Sequence, residues 1–225
     1  MIFKDRWSAG RLLSDKLALR FEKVDGVYFL PRGGIEIALP VAQKLGCPVI
    51  PVFVAKVRHP WEPEYAIGAM DEGGAVHLSE KNRHFVPAEE LEFSIAQAAR
   101  SVENQKRVYA GLSPVPPERG IFILVDDGLA TGESCKAALK FLRTRHPAGT
   151  GTLGLGVPCA STSGISNVRR ECDAIITVDT PDPDFLAVGN YYENFRQVEQ
   201  DTVVRLLHDY NEPFIRRVLK PAQNL

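Results

Sequence analysis

Five short runs of almost unbroken hydrophobicity recur along the chain, at residues 27–30, 49–55, 121–125, 153–157 and 174–178. Continuous rather than alternating apolar character over such lengths marks strands buried on both faces, as in a parallel sheet. Between the runs lie helical patterns at 35–45, after a Gly-Gly pair, and at 133–145 and 163–170. Strands alternating with helices predict right-handed βαβ units, hence an α/β fold with a doubly wound, mainly parallel sheet that binds ligands at the carboxyl ends of its strands. Three segments stand outside the alternation: an amphipathic helix expected over 6–21, a long Ala-, Gln- and Glu-rich helix over 89–111, and a tail helix over 199–219 broken near Pro213. Residues 114–119, with three prolines, form a linker into the strand that opens at Ile121.

Composition removes several classes of function. Lys and Arg number 27 against 28 Asp and Glu, so no general polyanion-binding field is expected and nucleic acid is not a predicted partner. The four cysteines, Cys47, Cys135, Cys159 and Cys172, are scattered singly, which fits free thiols in a reducing compartment better than a zinc cluster or a disulfide scaffold. The first residues have no apolar core of the length a secretory signal needs, so a cytoplasmic protein is expected. The uncharged stretch 147–168 is crowded with Gly, Ser and Thr and interrupted by Pro158, so it reads as turn, strand and turn rather than a membrane span.

The most informative letters are Ile121-Phe122-Ile123-Leu124-Val125-Asp126-Asp127-Gly128-Leu129-Ala130-Thr131-Gly132-Glu133-Ser134. A buried strand delivers two adjacent acids, then a loop of small residues, then the start of a helix. Gly128 and Gly132 let backbone N–H groups approach an anion, and Thr131 and Ser134 add hydroxyls beside a helix amino terminus whose dipole favours phosphate. Asp126 and Asp127 suit sugar hydroxyls or a metal, so a ribose 5-phosphate satisfies both halves. A Walker A loop is excluded because the glycines stand one residue too close and Glu133 occupies the lysine position. The G-x-G-x-x-G of residues 149–154 precedes a strand where the dinucleotide fingerprint must follow one, and reads as a turn.

The strand and the segment Val125 to Ser134 resemble the signature of type I phosphoribosyltransferases, which bind 5-phosphoribosyl 1-pyrophosphate (PRPP). The resemblance implies a single domain with a core over about 25–180 and a small hood from about 1–24 and 181–225. It assigns Gly128, Leu129, Ala130, Thr131, Gly132, Glu133 and Ser134 to the 5-phosphate, and Asp126 and Asp127 to the ribose hydroxyls and Mg²⁺, directly or through water. Pro31, Arg32, Gly33 and Gly34 resemble the short pyrophosphate loop, in which the peptide before the basic residue is often cis, making Pro31–Arg32 the candidate. Lys56 and Arg58, with His59, fall where the family has a mobile loop that closes over PRPP, in a stretch running to about Gly74. Residues 184–196 resemble the base-recognition hood of purine enzymes, with Phe185 as the stacking aromatic, although one extra residue separates it from the Val-Gly pair.

The resemblance further implies release of pyrophosphate, a nitrogenous base or similar acceptor, a role in nucleotide salvage, and a homodimer. Ala130 stands where 6-oxopurine enzymes carry a proton-exchanging aspartate, which disfavours hypoxanthine and guanine and leaves Glu64 as the candidate acid. A module that binds PRPP or a nucleotide without turnover uses nearly the same residues and stays open. Synthesis of PRPP itself is not expected, since that reaction uses two such domains in a longer chain.

Overall fold

The computed structural model describes residues 1–62, 65–78 and 86–219. Five strands form a parallel sheet: β1 (Gly26–Phe29), β2 (Val49–Pro51), β6 (Gly120–Val125), β7 (Gly151–Val157) and β8 (Ala174–Thr177), in the order β2-β1-β6-β7-β8. Within this sheet the order is 2-1-3-4-5, a doubly wound pattern whose reversal lies between β1 and β6. Those two strands run in register, Phe29 beside Val125, so the segments that follow them leave from adjacent points.

The segments diverge because their helices cover opposite faces. One face carries Val27, Phe29, Val49, Ile123 and Val125 and is covered by α1 (Arg6–Arg20), α2 (Ile35–Leu45) and α6 (Gln200–Leu219). The other carries Tyr28, Leu30, Ile50, Phe122 and Leu124 and is covered by α4 (Glu133–Arg145) and α5 (Thr162–Val168). Fully buried leucines and isoleucines on these faces each contribute roughly 1.5–3 kcal/mol of transfer free energy. In β7 the residues alternate between a leucine facing α4 and a glycine facing α1: a Cβ on Gly156 would stand 3.4 Å from Leu13 and Leu17. The expected turn at 149–154 thus shortens, with Gly149 at φ +86° and the strand already begun at Gly151.

The other differences have local causes. The apolar run 49–55 divides, because β3 (Ala55–Arg58) alternates buried Ala55 and Val57 with exposed Lys56 and Arg58. It joins β4 (Ala66–Met70) and β5 (Val76–Leu78) in a separate antiparallel sheet, backed by α3 (Ala88–Val108), where a loop to about Gly74 was expected. The carboxyl-terminal helix α6 runs through Pro213 without a break. α1 buries Ala9, Leu13 and Leu17 on the core, and the residues ahead of it pair with the segment before α6, with Phe3 N–H donating to Tyr191 O at 2.7 Å and Glu193 N–H to Phe3 O at 2.8 Å.

At the outer edge of the sheet, the amide of Asn211 in α6 meets β2. Val49 N–H donates to Asn211 Oδ1 at 3.1 Å, and Asn211 Nδ2 donates to Val49 O at 2.7 Å and Leu112 O at 2.8 Å. Among the described residues no helix is long and apolar enough to cross a membrane.

Candidate active site

The reversal of strand order brings together residues 30–34, after β1, and 126–134, after β6. Asp126 and Asp127 leave the end of β6 side by side, and the peptide bond Pro31–Arg32 opposite them is cis. Gly33 and Gly34 allow the two segments to touch: a Cβ on Gly33 would stand 2.5 Å from Asp127 Oδ2, and one on Gly34 would stand 3.3 Å from Asp126 Oδ1 and 2.6 Å from Leu30 O. No side chain larger than hydrogen fits at Gly33 without displacing the acid.

Arg6 completes this cluster and was not found by sequence reasoning. A reciprocal capping box, Ser8 N–H to Asp5 Oδ1 at 2.7 Å and Asp5 N–H to Ser8 Oγ at 3.1 Å, starts α1 at Arg6 and fixes where its side chain leaves the helix. The guanidinium is buried. Its Nε donates to Asp127 Oδ2 at 2.8 Å, its Nη1 donates to Arg196 O at 2.7 Å, and Glu36 Oε2 lies 3.8 Å from Nη1. It also stacks over the Phe195 ring, 3.8 Å from the centroid. The only sequence signal was a charged residue on the first turn of an otherwise apolar-faced helix.

The two acids are held differently. Burial and the adjacent Asp127 charge push the Asp126 carboxyl well above the ordinary carboxylate range; its hydrogen-bond donors are Asp127 N–H at 3.0 Å and the Cys135 thiol at 3.9 Å. Burial also raises Asp127, and Arg6 opposes that rise. Water still reaches Asp127, whose side chain is 17% exposed. The thiols beside them are protonated packing groups: burial pushes Cys135 well up and Cys159 to about 12, so no stabilised thiolate forms at the start of α4.

Beyond the acids, the loop is tied down from behind and open in front. Leu129 N–H donates to Cys159 O at 2.9 Å, the Ser161 hydroxyl donates to Ala130 O, and Asn167 Nδ2 donates to Thr131 O and Glu133 Oε1, each at 2.9 Å. Gly132 adopts φ +77° as the residue before α4, a left-handed turn that glycine makes without strain. Among the described residues, no acceptor meets the backbone N–H groups of Ala130, Thr131, Gly132, Glu133 and Ser134. Five free amides at the start of a 13-residue helix form an anion cradle. Glu133, whose side chain is held by Asn167, contributes through its backbone.

The remaining candidates are more dispersed. Arg32 is exposed and pairs loosely with Glu199 at 4.0 Å, an arrangement that leaves it available to a stronger anion. Lys56 and Arg58 line a cavity of about 420 Å³ against Glu90, Phe93 and Gln97 of α3, which includes neither Arg32 nor the acid pair among its described lining. Phe185 stacks on Tyr191 at 4.7 Å and 16°, so one of its faces is already occupied. Residues 184–196 nonetheless touch the loop, since the Tyr192 hydroxyl donates to Asp127 O at 2.6 Å and Val188 packs over Gly128. Glu64 lies outside the described residues.

Among the described residues no group of three or more His, Cys, Asp and Glu side chains could by itself hold a metal ion. Two adjacent carboxylates of raised proton affinity nonetheless suit Mg²⁺, which is commonly held by one or two carboxylates plus substrate phosphates and water.

No family model matches the sequence. Proteins from two Mycobacterium tuberculosis strains, both provisionally named phosphoribosyl transferases, are 32% identical over 216 residues, 95% of this chain and 48% of theirs. The chain thus spans about half the length of the curated relatives it matches. Among solved structures, the crystal structure of TT1426 from Thermus thermophilus is 33% identical, covers 93% of this chain and 99% of its own, and superposes with a TM-score of 0.75.

Proposed function

We propose that the chain is a type I phosphoribosyltransferase, as its similarity to relatives provisionally named phosphoribosyl transferases supports, and that it transfers the 5-phosphoribosyl group of PRPP to a nitrogenous base or similar acceptor, with release of pyrophosphate. The observation that carries the reading is the meeting, at the β1/β6 reversal, of the Asp126–Asp127 pair with the five free amides of residues 130–134.

The amides of residues 130–134 hold the 5-phosphate at the start of α4, and Asp126 and Asp127 accept hydrogen bonds from the ribose hydroxyls. Arg32 leaves Glu199 for the pyrophosphate, assisted by the backbone at Gly33 and Gly34. Lys56 and Arg58 add positive charge if β3 and its hairpin draw in over the ligand. Asp126 and Asp127 are the residues that would hold Mg²⁺, which would supply charge neutralisation of the leaving group. The chain's own residues thereby orient the anomeric carbon and compensate charge; covalent side-chain chemistry is not needed. Arg6 opposes the rise that burial imposes on the Asp127 carboxyl and aims it. Ala130 cannot exchange a proton with the acceptor, so the acceptor is one whose attacking nitrogen needs no acid at that position. The family resemblance also implies a homodimer, and the free cysteines fit a reducing compartment such as the cytoplasm.

A second reading, binding of PRPP or a nucleotide without turnover, draws support from Asp127 being already engaged by Arg6 and from Ala130. The deciding experiment is Mg²⁺-dependent pyrophosphate release from PRPP across purine and pyrimidine bases, with Asp127→Asn as control. Release with one base that the variant lacks supports transfer; tight PRPP binding with no release under any base supports the binding module.

A further inference from the structure

A second cavity, of about 280 Å³, opens between the carboxyl-terminal ends of α3 and α4 and the linker residues 113–116. Its floor is Tyr28 and Ile50, on the α4 face of the sheet; its walls are Phe141 on one side and Phe53, stacked on Tyr109 at 5.6 Å and 23°, on the other. Three charged side chains converge on it. Arg145 and Lys106 both act on the Glu72 carboxyl, and Arg145 and Glu72 both act on the Tyr28 hydroxyl, so the charges share one space. Glu72 already accepts a hydrogen bond from Phe53 N–H at 3.1 Å, and two cations face that single acid. Aromatic walls with a surplus of positive charge select a flat ring that carries negative charge.

We propose that this cavity is a second ligand site, separate from the acid pair, for a planar aromatic ring bearing an anionic group, the ring lying among Phe53, Tyr109 and Phe141 and the anion meeting Lys106 and Arg145. Its volume is just below the roughly 300–1,000 Å³ usual for small-molecule pockets. That suits one ring system with the anion at the mouth. None of its lining comes from residues 31–34, 56–58 or 126–134.

The test is calorimetric titration of the full chain with two probes: 1-naphthoate, an aromatic anion without ribose or phosphate, and a set of nucleoside 5′-monophosphates. The choice of nucleotides rests on the phosphoribosyl-transfer reading, whose products they are; naphthoate does not. Saturable naphthoate binding is expected, weakened tenfold or more in Arg145→Ala, abolished in Ala110→Trp, which fills the mouth, and unchanged in Asp127→Asn; nucleotide binding that survives in Asp127→Asn, where the acid-pair site is impaired, is expected to respond to the two cavity variants in the same way. Both altered side chains at the cavity are exposed, so the variants fold, and unchanged melting temperatures verify it. Failure of naphthoate to bind, or naphthoate binding lost in Asp127→Asn and kept in Arg145→Ala and Ala110→Trp, overturns the proposal. Naphthoate binding without pyrophosphate release in the transfer assay keeps this site and rejects transfer.

Discussion

Arg6→Met isolates what the guanidinium does at the acid pair, because methionine keeps much of the apolar stem and removes every donor. The substitution deletes the 2.8 Å bond to Asp127, the 2.7 Å bond to Arg196 O and the stacking over Phe195, and it leaves Asp127 as a mostly buried carboxylate without a counter-charge. Breaking a buried ion pair costs about 3–5 kcal/mol, and water at the exposed edge of Asp127 puts this case near the lower figure. For a chain of 225 residues, at roughly 2–4 °C per kcal/mol, the midpoint should fall by about 6–12 °C. The loss carries a pH signature. Arg6 holds the Asp127 carboxyl down against burial, so without it the carboxyl takes up a proton at higher pH, and a neutral carboxyl no longer misses its partner. The stability deficit should therefore be largest at pH 7.5 and shrink as pH falls toward 5, measured by urea unfolding at each pH. In the double variant with Asp127→Asn the two effects should not add. A deficit below about 1 kcal/mol at pH 7.5, a deficit independent of pH, or strict additivity would refute the reasoning.

Asp126→Asn should raise the melting temperature by a few degrees at pH 7.5 while abolishing PRPP binding, because it removes a buried charge that exists for the ligand; calorimetry read beside PRPP titration checks both halves. Gly33→Ala, whose Cβ would stand 2.5 Å from Asp127 Oδ2 and 3.1 Å from Arg6 Nε, should lose about 1–3 kcal/mol of stability and more than tenfold in PRPP affinity; an unchanged affinity would mean the acid pair is not held by this contact. His146 is buried, with Nδ1 donating to Glu118 O and Nε2 accepting from the Tyr28 hydroxyl, and burial lowers its proton affinity. Its contribution is therefore present above its unfolded value, about 6.5, and lost as pH falls below that. Unfolding of the wild type compared with His146→Gln between pH 7.5 and 5 should show a steeper acid loss in the wild type.

The parallel sheet was legible because strands buried on both faces must be apolar throughout, as Ile121 to Val125 is. The acid pair and the loop after it were legible for the same reason: their letters are contiguous. Arg6 was not, since its partners, Asp127 and Arg196, are 121 and 190 residues away and only the folded α1 joins them. β3 was hidden because Val52, Phe53 and Val54 bridge two different sheets with one uninterrupted apolar run. Pro213 misled in the opposite direction. A proline interrupts a helix when its missing N–H and ring are not accommodated, yet in α6 Pro213 sits on the exposed side, away from the face anchored by Val203, Leu207 and Asn211.

Asn211 presents to Val49 one acceptor and one donor, the same pair of groups that a residue of a sixth strand would offer. A single side chain thus terminates the hydrogen-bonding ladder of the sheet on its β2 side, and does so from a helix, which cannot itself extend the ladder. An open edge of this kind is where sheets of separate molecules join end to end. Fraying of α6 would uncover it, so the last helix of the described chain guards the protein against self-association as well as covering its core.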